Sequence, residues 1–137
     1  MIMAQEQAIL KGKVQLEELA AFVRQSAKDG RPIDQMERDL WPRMLALGRT
    51  MLTVYVEGVG PGDVGETLGY EGRELKRLEA RHERRYVSVF GELMLERYVY
   101  GSRETQKHEV IPTDALLALP DGEFSDLLAE WDQAFCV

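Results

Sequence analysis

Apolar residues recur along the first half of the chain at helical spacing. Leu16, Leu19, Ala20, Val23 and Ala27 return every three or four residues, which predicts a helix over about Lys13 to Lys28 with one apolar face. Lys28 suits the negative end of that helix, Gly30 supplies a left-handed stop, and Pro32 prevents simple continuation. A second helix is expected from Asp34, whose carboxylate can cap the first turn, with Glu37 three residues on in capping-box spacing. Met36, Leu40, Met44, Leu47, Met51 and Tyr55 then form one stripe, and Pro42 predicts a kink or a restart near Trp41. The short Gly-Arg-Pro connection makes the pair an antiparallel helical hairpin. In it, Met36, Leu40, Leu47 and Met51 are expected to bury against Leu16, Leu19 and Val23.

The pattern changes after residue 57. Six glycines between residues 58 and 72 disfavour regular structure and read as a linker. Residues 73–84 then carry few apolar side chains, Leu75, Leu78 and Ala80, and read as a mostly solvated basic helix. Tyr86–Phe90 and Leu93–Tyr100 are rich in β-branched and aromatic residues, and Gly91-Glu92 between them suits a two-residue turn. That register puts Tyr86 and Ser88 on one face with Leu93, Leu95 and Arg97. Val110–Pro120 reads as an extended entry followed by a short helix or turn. A last helix is expected from Ser125, with Leu127, Leu128, Trp131 and Phe135 on its buried side; it has no stop signal before Val137, which predicts a continuation.

The expected fold class is therefore α+β and mainly helical: helical hairpin, basic helix, one β-hairpin and a C-terminal helix. Its divisions are 1–57 (helical hairpin), 58–72 (glycine-rich linker) and 73–137, the last standing alone or forming one compact domain with 1–57.

Composition narrows the function classes. Apolar residues make up 45% of the 137, enough for a core, and 30% are charged, which argues against wholesale disorder. A net charge of −7 argues against a chain that coats nucleic acid or anionic lipid along its length. One cysteine, Cys136, excludes an intramolecular disulfide framework and fits a reducing compartment. No run approaches the ~20 apolar residues that span a bilayer, and the amino terminus has no secretory pattern, so the expected location is cytoplasmic with no membrane partner.

Most candidate chemistry resolves into ordinary structure. Gly60-Pro-Gly-Asp-Val-Gly65 satisfies the dinucleotide string but lacks the strand–helix context that gives it meaning. His82, His108 and Cys136 have no metal-ligand spacing, and the carboxylates single out no acid–base pair, so neither a catalytic nor a metal residue is assigned. The basic segment is more informative. Residues 73–85 hold six cations against three acids, whereas 1–72 hold 8 against 11 and 86–137 hold 3 against 10. Arg73, Arg77, Arg81 and Arg84 would share a helical face, with Lys76 and Arg85 beside it. These six are the candidate nucleic-acid contacts. The competing reading is a solvated helix whose arginines pair with Glu74, Glu79 and Glu83.

Arg84-Arg-Tyr-Val-Ser-Val-Phe-Gly-Glu-Leu-Met-Leu-Glu-Arg-Tyr-Val-Tyr100, followed by Pro112-Thr-Asp-Ala-Leu-Leu-Ala-Leu-Pro120, resembles the amino-terminal region of insertion-sequence transposases of the ISKra-four type. Asp34-Gln-Met-Glu37 and Leu47-Gly48 to Leu52 fit the upstream helix of that family, and the resemblance spans about residues 20–137. Many relatives carry a cysteine pair after the second strand, where this chain has Tyr100-Gly-Ser-Arg103. The family's catalytic acids belong to an integrase-like domain beyond position 137. The resemblance thus implies a fragment, a decayed copy or the first part of a split transposase, without catalysis or cofactor of its own. A divalent metal would belong to the missing catalytic domain. The expected function is support of DNA-end recognition or assembly, with transposon-end DNA, the rest of a transposase or a second copy as partner. The alternative is a stand-alone acidic helical module that binds another protein through the stripes of its long helices.

Overall fold

A computed structural model describes residues 2–101 and 110–135. The chain is α+β. In order it forms α1 (Ile2–Lys28), α2 (Ile33–Val59), β1 (Thr67–Tyr70), β2 (Arg73–Arg77), β3 (His82–Ser88), β4 (Gly91–Arg97), β5 (Tyr100–Gly101), α3 (Pro112–Leu116) and α4 (Asp126–Phe135). Two compact units divide it: residues 1–58 with the tip Ser88–Glu92, and 59–87 with 93–137.

The first unit is built on the helical hairpin. α1 ends as expected: Gly30 has φ +69°, its N–H donates to Ala27 O, and Arg31 N–H donates to Ser26 O, the paired bonds of a Schellman stop. Arg31 then reaches across the turn to pair with Asp39, and its guanidinium lies 5.1 Å from the Phe22 ring centre. Arg43 covers the same ring at 3.8 Å, adding cation–π attraction. Further along, Thr50 and Met51 lie over Gly12, and Gln5 donates to Val54 O at 3.4 Å, so the helices run antiparallel. At the tip, the Phe90 ring lies against Gly48 and Arg49 approaches Gly91.

Three details of this unit differ from the sequence expectation. Both helices are longer, starting at Ile2 and Ile33, and α2 runs through Pro42. Asp34 is not the cap; lying one residue inside α2, its carboxylate accepts from Arg38 Nε at 3.1 Å. The seam is also different. Ala8, Gly12, Ser26 and Thr50 are its buried positions, while Met36, Leu40, Leu47 and Leu19 are only half-buried and Leu16, Val23 and Met51 are exposed. Small side chains allow close helix approach, so the seam is narrow and the larger apolar residues flank it.

The second unit holds the remaining strands. β1 and β2 form an antiparallel hairpin in which Tyr70 pairs with Arg73 and Leu68 with Leu75. Its two-residue turn, Glu71-Gly72, has φ +50° and +75°, the primed geometry that matches strand twist. β5 adds to β2, and Val110 continues the ladder opposite Tyr100. Leu75, Leu95, Val99, Tyr100 and Thr113 are its most buried side chains. Tyr100, fully buried, donates its hydroxyl to Gly65 O at 2.5 Å and accepts from Val64 N–H at 3.0 Å, tying down the glycine-rich loop. Ser125 caps α4 through the Leu128 N–H at 3.0 Å.

The basic helix is not formed: residues 73–77 and 82–88 are strands. Part of the expected linker is likewise β1. In the β3–β4 hairpin the turn residues are Val89-Phe90, two earlier than expected. An even slip keeps every side chain on its face, and Ser88, Leu95 and Arg97 are each buried. On α4, Leu127 and Trp131 are exposed rather than buried and Leu128 is half-buried; the side chain of Phe135 lies outside the described residues.

Candidate functional site

The six candidate nucleic-acid residues are distributed over β2, the connection that follows it and β3, and four of them are answered by acids distant in sequence. Arg77 donates to Asp63 at 2.6 Å, Arg81 to Glu96 at 3.2 Å and Arg85 to Glu123 at 3.0 Å. Arg84 reaches Asp114 at 3.4 Å, donates to Gly122 O at 2.8 Å and also bonds Pro120 O. Glu74, Glu79 and Glu83, the local partners a helix would provide, form none of these pairs. Arg73 and Lys76 are exposed on β2 without an ion pair among the described residues.

Each pair has a structural task. Arg84 and Arg85 hold the 120–125 segment beside β3, where Val87 N–H donates to Glu123 O at 2.8 Å and Ser125 N–H to Val87 O at 2.9 Å. Arg77 and Arg81 lie 5.1 and 5.0 Å from the Tyr98 ring. Asp63 accepts from Gly65 N–H at 3.0 Å as well as from Arg77. The Gly65 N–H, then Arg77, hold its carboxyl below the ordinary aspartate value of 3.8. The depressed value means that any stabilisation from this group is present above the unfolded aspartate pKa and is lost as pH falls through the lower folded one. Carboxyl-detected NMR titration should therefore place Asp63 below ordinary aspartates, and Arg77→Ala should move it upward. An unmoved Asp63 would remove Arg77 from the account.

The densest charge cluster joins β3, β4 and α3. Arg97 donates through one nitrogen to both carboxylate oxygens of Asp114, at 2.8 and 2.7 Å, while Arg84 approaches one of those oxygens. Arg97 is nine-tenths buried and its Nε has no partner among the described residues. Two guanidiniums thus share one carboxylate. Sequence reading missed this arrangement: Asp114 appeared in it only within the family resemblance, and Arg97 only as a strand-face residue.

Chemistry beyond charge pairing is sparse. Among the described residues no group of three or more His, Cys, Asp or Glu side chains is disposed to hold a metal. His82 is exposed on β3; His108 and Cys136 lie outside the described residues. The Gly60–Gly65 string connects α2 to β1, so no helix opens on its last glycine to receive a phosphate.

An unsatisfied apolar feature belongs to the first unit. On α1 the seam runs Ala8, Gly12, Gln15, Leu19, Phe22, Ser26; the flank one residue later is Ile9, Lys13, Leu16, Ala20, Val23, Ala27. On α2 the seam runs Asp39, Arg43, Ala46, Thr50, Thr53, followed by Leu40, Met44, Leu47, Met51, Val54. A step of one residue turns 100° about a helix, and in an antiparallel pair these following flanks lie on the same side. A groove lined by Val23, Ser26, Ala27, Arg31, Ile33 and Met36 joins the two stripes near the turn. The opposite flank of α1 is mixed, carrying Gln7, Lys11, Val14, Glu18, Ala21 and Gln25. Leu16 is 56% exposed, Met51 52%, Met44 44% and Val23 41%. Tyr55 extends the stripe. No described helix is long and apolar enough to cross a membrane, so the stripe is not a spanning segment.

No family model matches the chain, and neither the curated proteins nor the solved structures yield a match.

Proposed function

We propose that the chain is a non-catalytic assembly element, the amino-terminal portion of a DNA transposase, whose helical hairpin docks protein through its open apolar face. The observation that carries this reading is the continuous stripe from Leu16 to Ala27 and Leu40 to Tyr55 on one side of the hairpin. A contiguous apolar face of this extent on a soluble helix pair marks a protein contact. The seam adds to the argument, since it consists of small or polar residues and includes Gln15 Oε1, buried without a partner among the described residues. Two 27-residue helices with so little buried between them gain most of their stabilisation from packing on an apolar face.

Between the two roles that the transposase resemblance implies, assembly is favoured over DNA-end recognition. Arg77, Arg81, Arg84 and Arg85 are held by carboxylates, and a phosphate contact would have to displace them. Arg73 and Lys76 have no ion pair among the described residues, and two cations are too few for strong counterion-driven binding.

Oxidative footprinting tests the docking reading whatever the partner is. Met44 and Met51 in the full chain should oxidise readily when the purified protein is highly dilute and should be protected inside expressing cells. Equal oxidation in the two settings would overturn the reading.

A further inference from the structure

We infer that the occupant of the apolar face is a second copy of this chain, the two hairpins closing face to face into a four-helix bundle. The inference rests on the docking reading above and names its partner.

Shape is the first argument. α1 presents small and medium side chains, Leu16, Ala20, Val23 and Ala27, while α2 presents longer ones, Leu40, Met44, Leu47 and Met51. A two-fold axis parallel to the helices lays α1 of one copy over α2 of the other. Each such contact then sets long side chains into the spaces above alanines, and the symmetry makes the fit twice. All neighbouring helices in that bundle are antiparallel, which also favours the arrangement of their dipoles.

Area is the second. The stripe runs about 17 Å along α1 and about 23 Å along α2, each about 10 Å wide, roughly 400 Å² in flat projection per copy. Interdigitated side chains bury more than the projection, which brings two copies toward the lower end of the ~1,200–2,000 Å² typical of stable complexes.

Charge is the third. Residues 1–58 hold eight basic and eight acidic side chains, so the whole net charge of −7 lies in residues 59–137. Two copies of this hairpin meet without net repulsion, whereas nothing in it draws a polyanion. The stripe is edged by both signs, with Lys13 on α1 and Glu37 on α2.

Sedimentation velocity on the full chain, from low to high micromolar concentration, should give a species of twice the chain mass. Met44→Glu/Met51→Glu should weaken dimerisation by a hundredfold or more, since each carboxylate would be buried without a counter-charge. Helical circular dichroism must be retained for that comparison. Lys11→Glu/Glu18→Lys, on the opposite flank, should leave the dimer unchanged and controls for general effects on the helices. A wild type that stays monomeric throughout overturns the second-copy inference. If Met44 and Met51 are nonetheless protected in cells, the docking reading stands with a different partner. A dimer that survives the glutamates places the contact elsewhere and overturns the inference equally.

Discussion

Asp114→Ala is expected to produce the largest loss of stability of any single change in the second unit, about 3–5 kcal/mol by urea denaturation. The carboxylate, about three-quarters buried, accepts from Arg97 and faces Arg84 as well. Its removal leaves two guanidiniums, both more than four-fifths buried, without the acid they share. A domain of this size is stable by only ~5–15 kcal/mol in total, so the loss should be visible as a large shift in midpoint. Asp114→Asn should fall between, because an amide keeps one acceptor and loses the charge. Arg97→Ala/Asp114→Ala should lose less than the sum of the single changes, the signature of direct coupling. A loss below about 1 kcal/mol for Asp114→Ala would mean that water already screens the cluster.

The second large effect is expected at Gly62. Its φ of +75° is unfavourable for any residue with a Cβ, and a Cβ there would lie 2.4 Å from Thr113 Oγ1 and 2.8 Å from Thr113 N. Thr113 is buried and its hydroxyl also bonds Gly60 O at 3.3 Å, so it has little room to retreat. Strain and overpacking together should make Gly62→Ala destabilising by about 2–5 kcal/mol in thermal or urea unfolding. Gly72→Ala, at the same φ but in open space, should lose only the backbone part. Adding Thr113→Ala to Gly62→Ala should recover little, because the clash with the backbone nitrogen remains. Equal losses at Gly62 and Gly72 would show that the loop moves aside.

Local pattern decides how much of this was readable from the chain. The stripes of α1 and α2, the β-branched run of β3 and β4 and the start of α4 near Ser125 all express their structure through near neighbours, and these elements were legible. Residues 73–85 were not. Arg73, Arg77, Arg81 and Arg84 fit a helical period as well as they fit strands, and only Leu75 in β2 turns inward to be fully buried. The deciding interactions are with β1 and β5, and β1 was obscured by Gly69 and Gly72. The arginine partners Asp63, Asp114 and Glu123 lie 14 to 38 residues from the side chains they hold. Spacing along the chain carries no trace of such pairs. The apolar stripe posed a subtler problem: its period showed that a face exists, but a seam and its flank differ by one residue, and both have that period.

The tip of the β3–β4 hairpin sets an order on the birth of the protein. Phe90 closes over Gly48 in the first unit, so that unit needs a ring encoded about forty residues after the surface it covers. At ~5–20 residues per second of synthesis, α2 emerges with its Gly48 side uncovered for a few seconds. The two helices can pair during that interval through contacts that are already synthesised. The tip then arrives as a late, non-local closure, and a nascent chain halted before Phe90 would carry an uncovered flank on each side of α2.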